Sequence, residues 1–152
     1  MRLEVTRRAE LAVQAMALLS PPDTRLKAPD LADALQSTRG FVPQVVGPLV
    51  KAGWVQSIPG PTGGYSLTPA ASRISVLEVI EAVDGPTATG QCVAHDQPCG
   101  QGRPCALHEA WTKARTSLVA TLSAVPAVPE APAAEPTSTT SHTEQKEKHH
   151  EG

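Results

Sequence analysis

A chain of 152 residues holds one domain, or one domain and a tail. Aromatic residues make up only 3% of it, so the core must be aliphatic, built from Val, Leu and Ala. A formal charge of −2 argues against a nucleic-acid partner only until its distribution is read. Residues 1–73 carry eight Lys and Arg against five Asp and Glu, a net of +3, whereas residues 126–152 carry two against five, a net of −3. No apolar run approaches membrane-spanning length, and the N-terminus lacks the apolar stretch and cleavage site of a signal peptide. A cytoplasmic protein with no membrane partner is therefore expected.

Leu11, Ala12, Ala15, Met16, Leu18 and Leu19 form an apolar stripe at helical spacing, which predicts a first helix over about 6–19, ended by Pro21 and Pro22. Ala28-Pro29-Asp30 opens a second helix, with proline in the first turn where its missing N–H costs nothing. The turn Gln36-Ser37-Thr38-Arg39-Gly40 leads to a third helix, with Val42, Val45, Val46, Leu49 and Val50 on one face and Gly53 as its stop. Pro48 should kink or tighten that helix. Residues 54–58 and 65–67 alternate as two strands around the turn cluster Pro59-Gly60-Pro61-Thr62-Gly63-Gly64. Ser75 and Glu78 have capping-box spacing and open a fourth helix, with Val76, Val79, Ile80 and Val83 inward and Gly85 beyond its end. A last helix is predicted from about Ala106 to Ser123. Leu107, Trp111, Ala114, Leu118, Leu122 and Val125 make a narrow coiled-coil-like seam along it. The other helices already have partners, so the seam is expected to meet a second copy of the chain. Residues 126–152 hold four prolines among Ala, Glu, Ser and Thr and read as a disordered tail.

The predicted fold class is mainly α with a small β-hairpin. Residues 1–73 form a winged helix-turn-helix domain, and residues 74–125 form a cysteine loop with dimerisation helices. That element order places the third helix in the major groove of double-stranded DNA. Ser37, Thr38 and Arg39 sit at its N-terminus, where backbone N–H groups favour phosphate. Arg39 and Gln44 are its side chains able to make bidentate contacts with base edges. Gly60, Thr62 and Gly63 form the wing tip, where glycine permits close backbone approach.

All three cysteines fall in one short segment, a pattern of metal or redox chemistry rather than of a secreted disulfide scaffold. Cys92, Cys99, Cys105 and His108 follow C-x6-C-x5-C-x2-H, and three thiolates with one imidazole close a four-ligand site. Cys105 and His108 lie three apart at a helix start, so both can face one side. His95 is a lesser candidate within the loop. Spacing alone leaves zinc and an iron–sulfur cluster open.

Residues 1–125 resemble the winged-helix regulators that include the iron–sulfur cluster assembly regulator IscR and the nitric-oxide-responsive repressor NsrR. The resemblance is carried by Met1-Arg2-Leu3, Ala12-Val13, Gly53-Trp54-Val55 and the wing Gly60-Pro61-Thr62-Gly63-Gly64-Tyr65. It continues in Val79-Ile80-Glu81-Ala82-Val83-Asp84-Gly85 and in Cys105-Ala106-Leu107-His108-Glu109-Ala110-Trp111. It implies a homodimer whose iron–sulfur cluster governs DNA binding, sensing nitric oxide, redox state or iron and cluster supply. The IscR type implies His108 as fourth ligand. The NsrR type implies a first-helix carboxylate from the other subunit, and Glu10 stands at that place. His108 is favoured, and 2Fe–2S over 4Fe–4S. Two departures stand out: Pro59 replaces the arginine usual before the first wing glycine, and Pro43 replaces a glutamate of the IscR-type recognition helix. The rival reading is a zinc-stabilised structural or protein-interaction module. An enzyme is not expected, because no nucleotide-binding glycine motif or acid–base pair accompanies the cysteines.

Overall fold

Thr6 opens the first helix by accepting the Ala9 N–H on its side-chain oxygen, and α1 runs Arg7–Leu18. In this computed structural model the described residues are 5–87, 90–92, 94, 98 and 105–129. After α1 come α2 (Ala28–Ala34), α3 (Val42–Lys51), β1 (Val55–Ile58) and β2 (Gly64–Leu67). A 3-10 turn over Pro69–Arg73, α4 (Val76–Asp84) and α5 (His108–Ser123) complete the order. The expected mainly helical winged fold is formed, with β1 and β2 antiparallel and Val55 opposite Leu67.

Two helix ends set the geometry of the turn. Gln36 takes a left-handed φ of 49° just past α2. Its N–H bonds to Asp33 O (3.1 Å) and the Ser37 N–H to Ala32 O (2.9 Å), closing the last carbonyls of α2. Gly53 repeats the device after α3 at φ 81°, with its N–H on Val50 O (3.0 Å) and the Trp54 N–H on Leu49 O (3.0 Å). Glycine adopts that backbone without strain and lets the chain reverse into the wing. Pro48 does not end α3: the helix continues to Lys51, although Pro48 offers the Gln44 carbonyl no N–H.

The core is aliphatic, as the composition requires. Leu11, Met16 and Leu19 of the first helical segment meet Leu31, Leu35, Val42, Val45, Val46, Leu49, Val55 and Val79 in one buried cluster. Phe41, Trp54 and Tyr65 are only partly buried at its rim. Val50 departs from its expected place and is exposed, because the helical turn carries it away from the stripe of Val42, Val45, Val46 and Leu49. Val76 and Ile80 pack at the edge of the core, and Leu77, not expected inward, is buried.

The expected tail begins too early at residue 126. The Val76 N–H bonds to Val125 O (2.8 Å) and the Ala127 N–H to Ile74 O (2.8 Å), and Ala127 is 2% exposed. A two-bond bridge to the start of α4 and a side chain small enough for the core hold residues that composition alone assigned to disorder. The rest of that segment, from residue 130, lies outside the described residues.

The capping box of α4 forms. The Ser75 N–H donates to Glu78 Oε2 (2.8 Å), and the Glu78 N–H donates to Ser75 Oγ (3.3 Å). The backbone N–H of Ser75, then its hydroxyl, hold the Glu78 carboxyl below its ordinary value near 4.5, against a small opposing effect of burial. Ser75→Ala should lower stability by about 1 kcal/mol in urea denaturation. The carboxylate's contribution is complete above the ordinary value and is lost as pH falls through the lowered native one. Glu78→Gln should therefore flatten the acid limb of the stability–pH curve.

Candidate DNA-binding face and metal centre

Helix α3 is two-faced. Val42, Val45, Val46 and Leu49 point into the core, so Pro43, Gln44 and Gly47 stand exposed on the other side. Thr38 and Arg39 are exposed just ahead of them, and Ser37 is half-buried. The Phe41 N–H bonds to Thr38 O (3.0 Å), which winds the turn directly into α3. No side chain caps α3 and Pro43 lacks an N–H, so few backbone donors at this terminus are left for an anion.

At the wing tip the Gly63 N–H bonds to Gly60 O (3.0 Å), closing a tight turn that exposes Gly60, Pro61 and Thr62. Gly63 itself is buried, and a Cβ there would lie 1.9 Å from Ile58 O. Its role is steric rather than that of an exposed contact. The wing has a third member that sequence reasoning missed. Leu26 bridges Tyr65 through two hydrogen bonds (3.0 and 2.8 Å), and Arg25 Nη1 donates to Thr62 O (3.3 Å). No local pattern marks this pairing, because the partners are 37 residues apart.

The cysteine segment leaves the end of α4. That end is tied to α1: Thr6 Oγ1 donates to Asp84 Oδ1 (2.6 Å), and Arg8 Nη2 donates to Val83 O. The Cys92 and Cys105 sulfurs lie 3.5 Å apart, both half-buried. That is far beyond a covalent S–S bond of about 2.05 Å and close to the roughly 3.8 Å between tetrahedral thiolates on one ion with metal–sulfur bonds near 2.3 Å. The pair therefore fits shared ligation of a soft metal. His108 lines the same cleft of about 200 Å³, together with Trp111, Thr112 and Arg115. Those positions follow His108 at three, four and seven residues, one helical face, so a spacing signal for Trp111 and Arg115 was present in the sequence. Cys99 and His95 lie outside the described residues, and among the described ones no three His, Cys, Asp or Glu groups are assembled to hold an ion. Glu10 is elsewhere, on the exposed side of α1, with its carboxylate on Arg7 (2.8 Å) and Gln14 (3.3 Å).

No residue of α5 is buried, and it starts at His108, two residues later than expected. Leu118 is 43% exposed, and Leu107 and Val125 on either side of the helix are also exposed. Beside Leu118, an apolar hollow of about 640 Å³ is lined by Trp111, Ala114 and Thr121 among others. Among the described residues, no helix is long and apolar enough to cross a membrane.

Residues 5–126 match the family model Rrf2, described as an iron-dependent transcriptional regulator. The chain is 30% identical over 125 residues to the HTH-type transcriptional regulator IscR of Photorhabdus laumondii, covering 81% of this chain and 76% of that one. It is 27% identical over 125 residues to an HTH-type transcriptional regulator of Neisseria meningitidis, covering 81% and 84%. Among solved structures it is similar to the global cysteine regulator CymR of B. subtilis, with a TM-score of 0.67 and 21% identity over 84% of this chain and 94% of that one. It is likewise similar to IscR of T. potens, with a TM-score of 0.65 and 22% identity over 82% and 83%. Both structural likenesses bear on the fold, which is the winged helix argued above. With its exposed α3 face, its wing and a family match across almost all the described residues, this chain belongs to the Rrf2 family of transcriptional regulators.

Proposed function

We propose that the chain works as a homodimer on double-stranded DNA and holds an iron–sulfur cluster of the 2Fe–2S class on Cys92, Cys99, Cys105 and His108. Glu10 of the partner subunit is the alternative fourth ligand. The observation that carries this reading is the approach of the Cys92 and Cys105 sulfurs to 3.5 Å in a cleft that His108 also lines. The family description, iron-dependent transcriptional regulator, supports it. When bound, such a cluster supplies a redox-active centre that reacts with small molecules such as nitric oxide and depends on iron supply. The chain's own residues provide the coupling. Gly85 carries the chain from α4 into the cysteine segment, and the Thr6–Asp84 and Arg8–Val83 contacts fix that exit to the first helix of the DNA-binding unit. At the other end Cys105 leads straight into α5, whose exposed apolar seam fits a second copy packed helix against helix. Metal occupancy at the cysteines thus bears on how the two winged domains are held, which is what a cofactor-biased switch requires.

The test is anaerobic purification with visible absorption, native mass spectrometry and electrophoretic shift assays. A coloured dimer that binds duplex DNA is expected. A colourless protein carrying zinc would instead establish the zinc-stabilised interaction module. His108→Ala should lose or destabilise the visible bands, whereas Glu10→Ala should leave them nearly unchanged. The reverse pattern would assign the fourth ligand to Glu10 of the partner subunit.

A further inference from the structure

Residues 52–72, which contain the whole hairpin, include no Lys, Arg, His, Asp or Glu. An uncharged wing has no cation of its own with which to displace counterions from the DNA backbone. The structure brings one in from outside. Leu26 is clamped to Tyr65 by two hydrogen bonds, so Arg25 is held against the start of β2. Its Nη1 reaches the tip and donates to Thr62 O (3.3 Å). Gly64 makes room for this approach, since a Cβ there would lie 2.7 Å from Leu26 O and 3.1 Å from the Arg25 Cγ. A guanidinium has five N–H donors, and the bond to Thr62 uses one. Arg25 is exposed, and among the described residues the ion pair formed is Arg7–Glu10, so within that set no carboxylate stands at ion-pairing distance from Arg25. We infer that Arg25 is the phosphate-contacting cation of the wing, supplied by the segment before α2 rather than by the hairpin. Bound to the tip through one N–H on Thr62, the exposed guanidinium keeps its charge and its other donors for a phosphate there. Pro59 then stands where a hairpin cation is dispensable, because the charge arrives from the neighbouring segment.

This inference rests on the DNA-binding reading, and the experiment separates the two. Full-length native protein, R25Q, R25K and the double variant R25Q/P59R are titrated against a mixed-sequence duplex and a duplex selected from a random pool, over a range of salt. R25Q should weaken both duplexes alike, by about fivefold per Arg25 in the complex near 0.15 M salt, and should make the log–log salt slope shallower by about one per Arg25. R25K should retain most of the affinity, and P59R should restore both affinity and slope by returning a cation to the wing. Unchanged affinity and slope in R25Q, with the native protein binding, would overturn the role of Arg25 alone. A loss that P59R does not restore would also overturn it, leaving Arg25 as a brace of the wing. Native protein that binds neither duplex would overturn the DNA reading and this inference with it. Should R25Q fail to fold, phenylglyoxal labelling of the native chain decides: Arg25 should be protected by duplex, and full reactivity in the complex would sink the proposal.

Discussion

Cys105→Ala is expected to remove the visible absorption of the anaerobically purified protein while leaving its helical circular dichroism near native. Cys105 faces Cys92 at 3.5 Å and lines the cleft with His108, so it stands among the proposed ligands. It is half-buried and takes no part in the hydrophobic core, which is built around α1, α3 and α4. Its loss therefore removes a ligand without opening a cavity in the core. Cys92→Ala should behave alike, since the two sulfurs meet. Duplex affinity should change in both variants, because Cys105 joins the loop to α5. Full absorption in either variant would show that its thiol is not a ligand.

Gly63→Ala should abolish tight duplex binding with most of the helical fold retained. A Cβ at Gly63 would lie 1.9 Å from Ile58 O, 2.7 Å from Pro59 O and 2.8 Å from the Ile58 carbonyl carbon. All three obstacles are backbone, so no side chain can swing aside, and the tip must be rebuilt. The Gly63–Gly60 hydrogen bond and the position of Thr62, which holds Arg25, would go with it. A stability loss of about 1–3 kcal/mol is expected from such overpacking. Gly47→Ala is the control for stability alone, because Gly47 lies on the exposed face of α3. No atom lies within 4 Å of a Cβ there, so alanine in the helix interior should raise stability by about 0.5–1 kcal/mol. Thermal melts and fluorescence anisotropy on the same preparations would separate these outcomes. Native-like affinity in Gly63→Ala would contradict the wing as a contact surface.

Most of the helical frame was legible because its signals are local. The stripe of α1, the proline at the start of α2, Gly53 after α3 and the Ser75–Glu78 box each act within a turn or two of chain, where periodicity and capping chemistry decide the outcome. Val50 shows the resolution of that reading: a helical stripe says which face is inward, but its margin depends on what packs opposite. The cysteine spacing suggested a ligand set, and the structure brings Cys92, Cys105 and His108 to one cleft.

Local chemistry alone, then, determined the element order, the aliphatic core, the hairpin and the donor types of the proposed metal centre. Tertiary structure decided what distant segments do to one another. Arg25 reaches Thr62 across 37 residues, and Thr6 reaches Asp84 across 78. Ala127 enters the core from a stretch whose composition reads as tail. None of these long-range contacts carries a local signal. Each is placed by backbone bridges or hydrogen bonds that exist only once the helices have packed, and a sequence pattern records the preferences of a segment but not the partner that folding puts beside it.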